Sequence, residues 1–461
     1  MAGLESVFRV LSDLLWNHVL LVVLIGLGIF YTILTGGIQI RCFAMAWKSM
    51  FGSMKQKGGE DEEEKGAFSS YQTLCTAVAS CVGSGNIVGV ATAILAGGPG
   101  ALFWMWIAAF FGMATKFAEI TLGVRYHGRD EEGNVLGGPM YYAAMGLNWK
   151  GIGMMIASCL FIQNAGATLV QSNTISQIVT EAFPIPAVLC ALGLAAVMMF
   201  IISGGFKRLV HTAERVVPFM AVLYVAGGLV VMLVNLPSVP GVFRSIFECA
   251  FSLKAGAGAA AGFSMREAMR FGVARGLYSN EAGEGSAAVL HASAKVDHPV
   301  RQGLYGILEV FIDTIVICST TGLSILVTGV NQGGTNASTL AAEAFGSVFP
   351  GMKYVIYVSL ILFASTSIMS QWYFGHVSLT YLKKPKLAAI YRAAFPVLVL
   401  IGSISTIDLV WLIQDCALAF LVLPNAVALI ALAPQVRKMT KEFLDPENHY
   451  LHTGRQSTRQ R

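Results

Sequence analysis

Apolar residues run along this chain in long stretches, each about as long as a helix that crosses the hydrocarbon of a bilayer, with short polar segments between them. Eleven such stretches can be read, at roughly 15–36, 69–96, 100–124, 151–180, 186–204, 214–235, 257–294, 302–328, 352–381, 387–406 and 408–433. Hydrocarbon offers no partner to a bare N–H or C=O, so segments of this composition satisfy their backbone internally, as helices. The pattern predicts an all-α polytopic membrane protein. Two stretches break the pattern. Gly83 to Gly89 reads G-S-G-N-I-V-G inside the second, and Ala274 to Ser286 places Arg275, Asn280, Glu281 and Glu284 inside the seventh. Backbone freed at such a depth is tolerated only where it lines a polar cavity or a ligand. Paired interruptions in the two halves of a polytopic chain point to the binding site of a secondary transporter.

Composition narrows the class further. The 461 residues are 55% hydrophobic and 12% charged with mean hydropathy +0.65, whereas a soluble chain carries about 25% charge. Net charge is +5, but the basic residues lie in short connections and signal no nucleic-acid partner. With eleven spans, Arg41, Lys48, Lys55 and Lys57, then Arg125 and Arg129, Lys207 and Arg208, Lys295 and Arg301, Lys383, Lys384 and Lys386, and Arg437, Lys438 and Lys441 all fall on one side. Arg244, Lys254 and Lys353 are the exceptions. The positive-inside rule makes that side the cytoplasm, with the N-terminus outside and the C-terminus inside the cell membrane. The eight cysteines, mostly in apolar runs and without metal-ligand spacing, read as small core residues. The acidic run Asp61 to Glu64 reads as a solvated loop and Glu447 to Arg461 as a polar tail. No connection is long enough for a separate domain.

The first break places a helix start after Gly85, whose dipole favours a carboxylate. The carbonyls near Ala79 and Val82 point the other way and suit a small cation, with Ser84 and Asn86 adding side-chain oxygens. In the fourth span Gln171 lies two turns from Asn164 on nearly one face, free to bond either a substrate or a neighbouring helix. Glu309 and Asp313, an i,i+4 pair, serve a cation site or pair with Arg275. Lys116 and Glu119, at i,i+3, read as a structural salt bridge. Ser365, Thr366 and Ser367 supply clustered hydroxyls for Na⁺ or for back-bonding to their own helix.

Ser80 to Ala93 (S-C-V-G-S-G-N-I-V-G-V-A-T-A), Gly97 to Trp106, Gly112 to Lys116, Gly137 to Tyr142, Phe271 to Ala287 and His298 to Gly303 with the following E-V-F-I-D-T closely resemble the alanine or glycine:cation symporter family, over residues from about 15 to 440. The resemblance implies a fold similar to the neurotransmitter:sodium symporter type. Five helices (69–235) repeat in inverted orientation (257–433), after one extra helix (15–36) and before a cytoplasmic tail (434–461), in a single transporter domain acting as a monomer. Carried over by position, Ser80, Cys81, Ser84, Gly85, Gln171, Gly276, Leu277 and Gln371 would meet the substrate. Asn86 would serve a Na⁺ near the substrate carboxylate, and Ala79, Val82, Ser365 and Thr366 a second Na⁺. One departure stands out. Where the family usually reads S-T-x-x-G-W-x-Y-Y-G-E, this chain has S-T-S-I-M-S-Q-W-Y-F-G-H from Ser365 to His376, so Gln371 replaces a tryptophan and His376 an acid. The pocket is thereby roomier and more polar, open to hydroxylated or amide-bearing amino acids.

The expectation is a Na⁺-driven symporter of small neutral amino acids, with no cofactor beyond the coupling ion. Proton coupling through Glu309, Asp313 or His376 is the alternative. An intramembrane enzyme built on Glu281, Glu284 and His291 is disfavoured, because no H-E-x-x-H or activated nucleophile appears.

Overall fold

The computed structural model describes residues 2–55, 67–252, 264–333, 336–405, 407–448 and 450. The run Asp61 to Glu64, the first residues of the seventh stretch and the tail beyond Tyr450 lie outside the described residues. α1 (Ala2–Leu14) passes through a π-helical stretch, Leu15–Leu20, into α2 (Leu21–Leu34), and α3 (Phe43–Lys55) follows. α4 (Ser70–Cys81) and α5 (Gly85–Gly97) form one span bent by 54°. Next come α6 (Gly100–Arg125), an antiparallel hairpin of β1 (Gly128–Arg129) and β2 (Val135–Leu136), and α7 (Pro139–Gly146). α8 (Lys150–Ala182), α9 (Ala187–Ser203), α10 (Gly205–Val234) and α11 (Val239–Ala250) complete the first half. The second half holds α12 (Met265–Asn280), α13 (Ser286–His291), α14 (Pro299–Thr328), α15 (Ala337–Gly346), α16 (Lys353–Tyr381), α17 (Pro385–Ile404) and α18 (Ile407–Leu444).

Among the described residues α6, α8, α10, α14, α16, α17 and α18 are each long and apolar enough to cross a bilayer, and the α4–α5 pair adds another. The protein is a mostly helical, multi-pass membrane protein. Several helices outrun their apolar stretches. α10 begins at Gly205 rather than 214, and α18 continues past 433 to Leu444. Lys207, Arg208 and His211 in the one, and Arg437, Lys438 and Lys441 in the other, end the apolar run while the i→i−4 ladder goes on. α3, α7, α11 and α15 were not anticipated, since none is long enough to register as a span. In α11 the buried Val242, Ile246, Cys249 and Ala250 fall at helical spacing, as on a short amphipathic helix seated on one face.

Two groups of helices build the core. α6 packs mainly on α12 and α14 and also touches α5, while α8 packs on α16, α17 and α18, with α9 against α17. Backbones approach closely in the first group. A methyl added at Gly272 of α12 would lie 2.2 Å from the Ala101 carbonyl, so this crossing requires glycine. The broken spans belong to the first group, and their breaks face α8 and α16 of the second.

Candidate functional site

α4 starts with a reciprocal capping box, Ser69 with Gln72, and ends at Val82, whose ψ of 100° leaves the helix. The amides that would continue the helix are drawn elsewhere. Gly83 N–H donates to Asn86 Oδ1 at 2.8 Å, and Ser84 N–H to Gln171 Oε1 at 3.0 Å. Asn86 N–H turns to Gly83 O at 3.3 Å, so the carbonyls of Ala79 and Val82 both lose their helical donors. A Cβ at 83 would lie 2.6 Å from Gln171 Nε2 and 2.7 Å from Ser367 Oγ, so any larger residue would displace both side chains.

Those freed carbonyls meet α16. The Ser367 hydroxyl is 3.4 Å from Ala79 O, 3.2 Å from Val82 O and 3.1 Å from Phe363 O, and Thr366 Oγ1 is 2.9 Å from the same Phe363 O. These five oxygens are linked through Ser367 Oγ and Phe363 O, and Ser367, with one proton, cannot satisfy both freed carbonyls, Ala79 O and Val82 O. Such an excess of acceptors suits a small hard cation. The hydroxyl facing both Ala79 and Val82 is that of Ser367 and not of Ser365. One residue on a helix turns a side chain by about 100°, so it is Ser367, and not the expected Ser365, whose hydroxyl bonds both carbonyls.

The second break lies between α12 and α13. Glu281 caps α12 in the left-handed region (φ 55°), and Gly283 (φ 101°) and Gly285 (φ 80°) complete a turn that favours glycine. Lys116 Nζ donates to Asn280 O at 2.7 Å, placing an ammonium at the negative end of α12. Lys116 also pairs with Glu309 at 3.0 Å, not with Glu119, which accepts instead from Asn425 Nδ2 at 2.9 Å. On α6 the i,i+3 spacing made Glu119 available, but both side chains point into tertiary partners. Glu309 accepts further from His291, whose other ring nitrogen lies 2.6 Å from Gln302. The hydrogen bonds of His291 thus go to Glu309 and Gln302, while Glu281 and Glu284 bond Ser80, Ser286 and Gln163. Arg275 bonds Asp415 of α18 at 3.4 Å, so neither Glu309 nor Asp313 is its partner.

The two breaks touch. A Cβ on Gly85 would lie 3.1 Å from the Tyr278 ring and 3.3 Å from Ser279 Cα. Beside this contact, π-helical stretches of α5 (Gly85–Gly89) and α14 (Phe311–Cys318) bring Asn86 to Asp313. Asn86 Nδ2 donates to Asp313 Oδ1 at 2.6 Å, Ser279 Oγ to Oδ2 at 2.9 Å and Thr314 Oγ1 to Oδ2 at 2.8 Å. Asp313 is fully buried among neutral donors. A buried carboxylate without a counter-charge is costly unless it gains a proton or a cation.

A cavity of about 20 Å³, room for about one water, lies between the breaks and α8, α16 and α18. Ser80, Cys81, Gly85, Gln171 and Gln371 line it as expected, joined by Gln163, Tyr278, Glu281, Glu284 and Gln414. The Oε1 atoms of Gln163, Gln371 and Gln414 are buried and have no hydrogen-bond partner among the described residues. Gln163 Nε2 donates to Glu284 at 3.2 Å, while Ser80 and Ser286 hydroxyls hold Glu281 at 3.4 and 2.6 Å. The wall is thus rich in acceptors, while the positive end of α5 opens at Gly85. Gly276, Leu277, Ser84 and Asn86 do not line this cavity. Gly276 packs against Met105 of α6, and Leu277 belongs to the apolar cluster that also holds Leu20 and Leu24. Tyr278, one residue on, takes their place. Gln414 stands out in sequence as a lone amide in an apolar stretch, but nothing there aims it at the breaks.

Contacts bridge the helices on either side of the site. Toward the start of α4, Phe206 stacks on Tyr373 (4.0 Å, 12°), Phe68 meets Phe206 edge-on at 5.3 Å, and Phe68 N–H donates to Ser293 O at 2.9 Å. Toward the start of α12, Arg275 and Asp415 span α12 and α18, and Trp16 Nε1 donates to Asp415 O at 3.2 Å.

Residues 1–456 match the family described as the sodium:alanine symporter family. The chain belongs to that family. The sodium/alanine symporter AgcS of Methanococcus maripaludis is 37% identical over 447 residues, 95% of this chain and 97% of that protein. The amino-acid carrier protein AlsT of Bacillus subtilis is 36% identical over 441 residues (95% and 92%), and the "Probable sodium/glutamine symporter GlnT" of the same organism is 34% identical over 445 (95% and 91%). Among solved structures, MhsT in complex with L-phenylalanine is 15% identical with TM-score 0.55, covering 82% of this chain and 90% of MhsT. A Na⁺-coupled sialic acid symporter is 11% identical with TM-score 0.52, covering 89% and 86%. This family member therefore shares its fold with these two solved proteins.

Proposed function

We infer that this member of the sodium:alanine symporter family carries small neutral amino acids into the cell, driven by Na⁺. The observation that carries the reading is the linkage of Ala79 O, Val82 O and Phe363 O with the hydroxyls of Thr366 and Ser367. Na⁺ bound there would tie the α4 break of the first helix group to α16 of the second. Asp313, with Ser279, Thr314 and the turned amide of Asn86, would hold a second cation beside Gly85. The substrate carboxylate would lie at the positive end of α5, and its ammonium among the free oxygens of Gln163, Gln371 and Gln414 and the acids Glu281 and Glu284. Polar Gln371, with Gln171 close by, favours a hydroxyl or amide side chain alongside alanine and glycine.

In this reading the chain crosses the membrane eleven times. α1–α2, the short apolar α9 and the broken α12–α13 join the eight spans already described, with the N-terminus outside and the C-terminus in the cytoplasm. The parallel roles of α4–α6 and α12–α14 support two inverted five-helix repeats. The Phe68–Phe206–Tyr373 contact would be the inner seal and Arg275–Asp415 part of the outer one, opened alternately. Ions and substrate shift that balance only by binding one state more tightly. The test is uptake of labelled alanine and glutamine into proteoliposomes under a Na⁺ gradient, against K⁺. Equal uptake in both would reject Na⁺ coupling. The neutral cage around Asp313 also fits a proton, and uptake driven by a pH gradient alone would select that alternative.

A further inference from the structure

Away from the transport site, α2 and α18 leave an open groove of about 550 Å³ on the outer surface of the helix bundle, within the range of ligand-sized sites. Its character changes along its length. Phe30 and Leu34 of α2 face Ile430, Ala433 and Pro434 of α18, and Arg437, Lys438 and Lys441 close the end. Phe30 and Ile430 are exposed at 38% and 55%. Pro434 has no amide to give Ile430 O, so the helix ladder is weakened beside the groove. Arg437, Lys438 and Lys441 are exposed and make no ion pair among the described residues.

An apolar trough that ends in uncompensated positive charge matches a molecule with an apolar chain and an anionic head. We propose that this groove binds an anionic phospholipid, the acyl chain along Phe30, Leu34, Ile430 and Pro434 and the phosphate at Arg437, Lys438 and Lys441. Basic pockets between membrane helices recognise such headgroups. The chain's own end is a poor occupant. Residues 451–461 carry Arg455, Arg459 and Arg461 and no acid, so they repel the basic end. The site lies on the outside of the bundle, and its occupancy does not depend on the transport reading.

The test is native mass spectrometry of the full-length protein in detergent, titrated with dioleoyl phosphatidylglycerol or dioleoyl phosphatidylcholine. Phosphatidylglycerol is expected to be retained preferentially. In the triple variant Arg437→Gln, Lys438→Gln, Lys441→Gln its affinity should fall by about tenfold or more, each lost charge near the headgroup counting severalfold. Lys383→Gln, Lys384→Gln, Lys386→Gln, at another basic connection, should retain the lipid. Ile430→Trp, which narrows the trough and keeps every charge, should also weaken retention. Unchanged binding in the first triple variant, or equal loss in the second, would overturn the proposal. So would complete displacement by glycerophosphoglycerol, which has the head without the chains.

Discussion

Ser367→Ala removes one of the five oxygens at the junction of α4 and α16 and leaves the backbone in place. A neutral group bonded to a charged one contributes about 1.5–3 kcal/mol, so the Na⁺ concentration for half-maximal uptake should rise about 10- to 150-fold. The loss to folding should be smaller, about 1 kcal/mol, because the hydroxyl can satisfy only one of three carbonyls at a time. Ser365→Ala is the matched control. Its hydroxyl, two residues earlier on α16, makes no contact with Ala79 O or Val82 O, and its Na⁺ dependence should not move. The assay is alanine uptake into proteoliposomes over a Na⁺ series at constant ionic strength, with thermal melting of each variant in detergent. Unchanged Na⁺ dependence in Ser367→Ala, at wild-type folding, would refute the site. An equal shift in Ser365→Ala would refute its register.

Gly83→Ala should abolish transport and lower stability by about 1–3 kcal/mol, the usual cost of overpacking, read as a melting shift with uptake in parallel. Its Cβ would collide with Gln171 and Ser367 together. Lys116→Met strands Glu309 and the Asn280 carbonyl in the interior and should destabilise by about 3–5 kcal/mol, while adding Glu309→Leu should recover part of the loss; detergent melting of the single and double variants checks both. Gln371→Trp should narrow selectivity toward glycine and alanine in a competition panel, with glutamine losing most. Asp313→Asn should weaken the Na⁺ dependence of uptake, and full retention of it would remove Asp313 from ion binding.

The pattern of apolar runs and the two interruptions made most of the architecture legible. Bilayer thickness and the demand for satisfied backbone leave a long apolar segment little choice but helix. G-S-G-N-I-V-G announced the break at Val82 because three glycines and an amide serve no purpose in a lipid-facing helix. The short helices α3, α7, α11 and α15 carried no comparable signal, being amphipathic and short. Partner choice was not legible at all. Lys116 has Glu119 within reach on its own helix, yet takes Glu309 and the Asn280 carbonyl, because α6 turns that face toward α12 and α14.

By itself, then, the order of residues determined what is local: which segments are helical, where two of them must break, and which carbonyls the first break sets free. Side-chain convergence over hundreds of positions was decided only in three dimensions. Ser367 and not Ser365 reaches Ala79 and Val82, Tyr278 and not Leu277 faces the cavity, and glutamines from α8, α16 and α18 meet at one point. The reason is rotational. Each residue along a helix turns its side chain by about 100°, so the packing angle between helices, which no linear spacing encodes, selects the residue that arrives at the site.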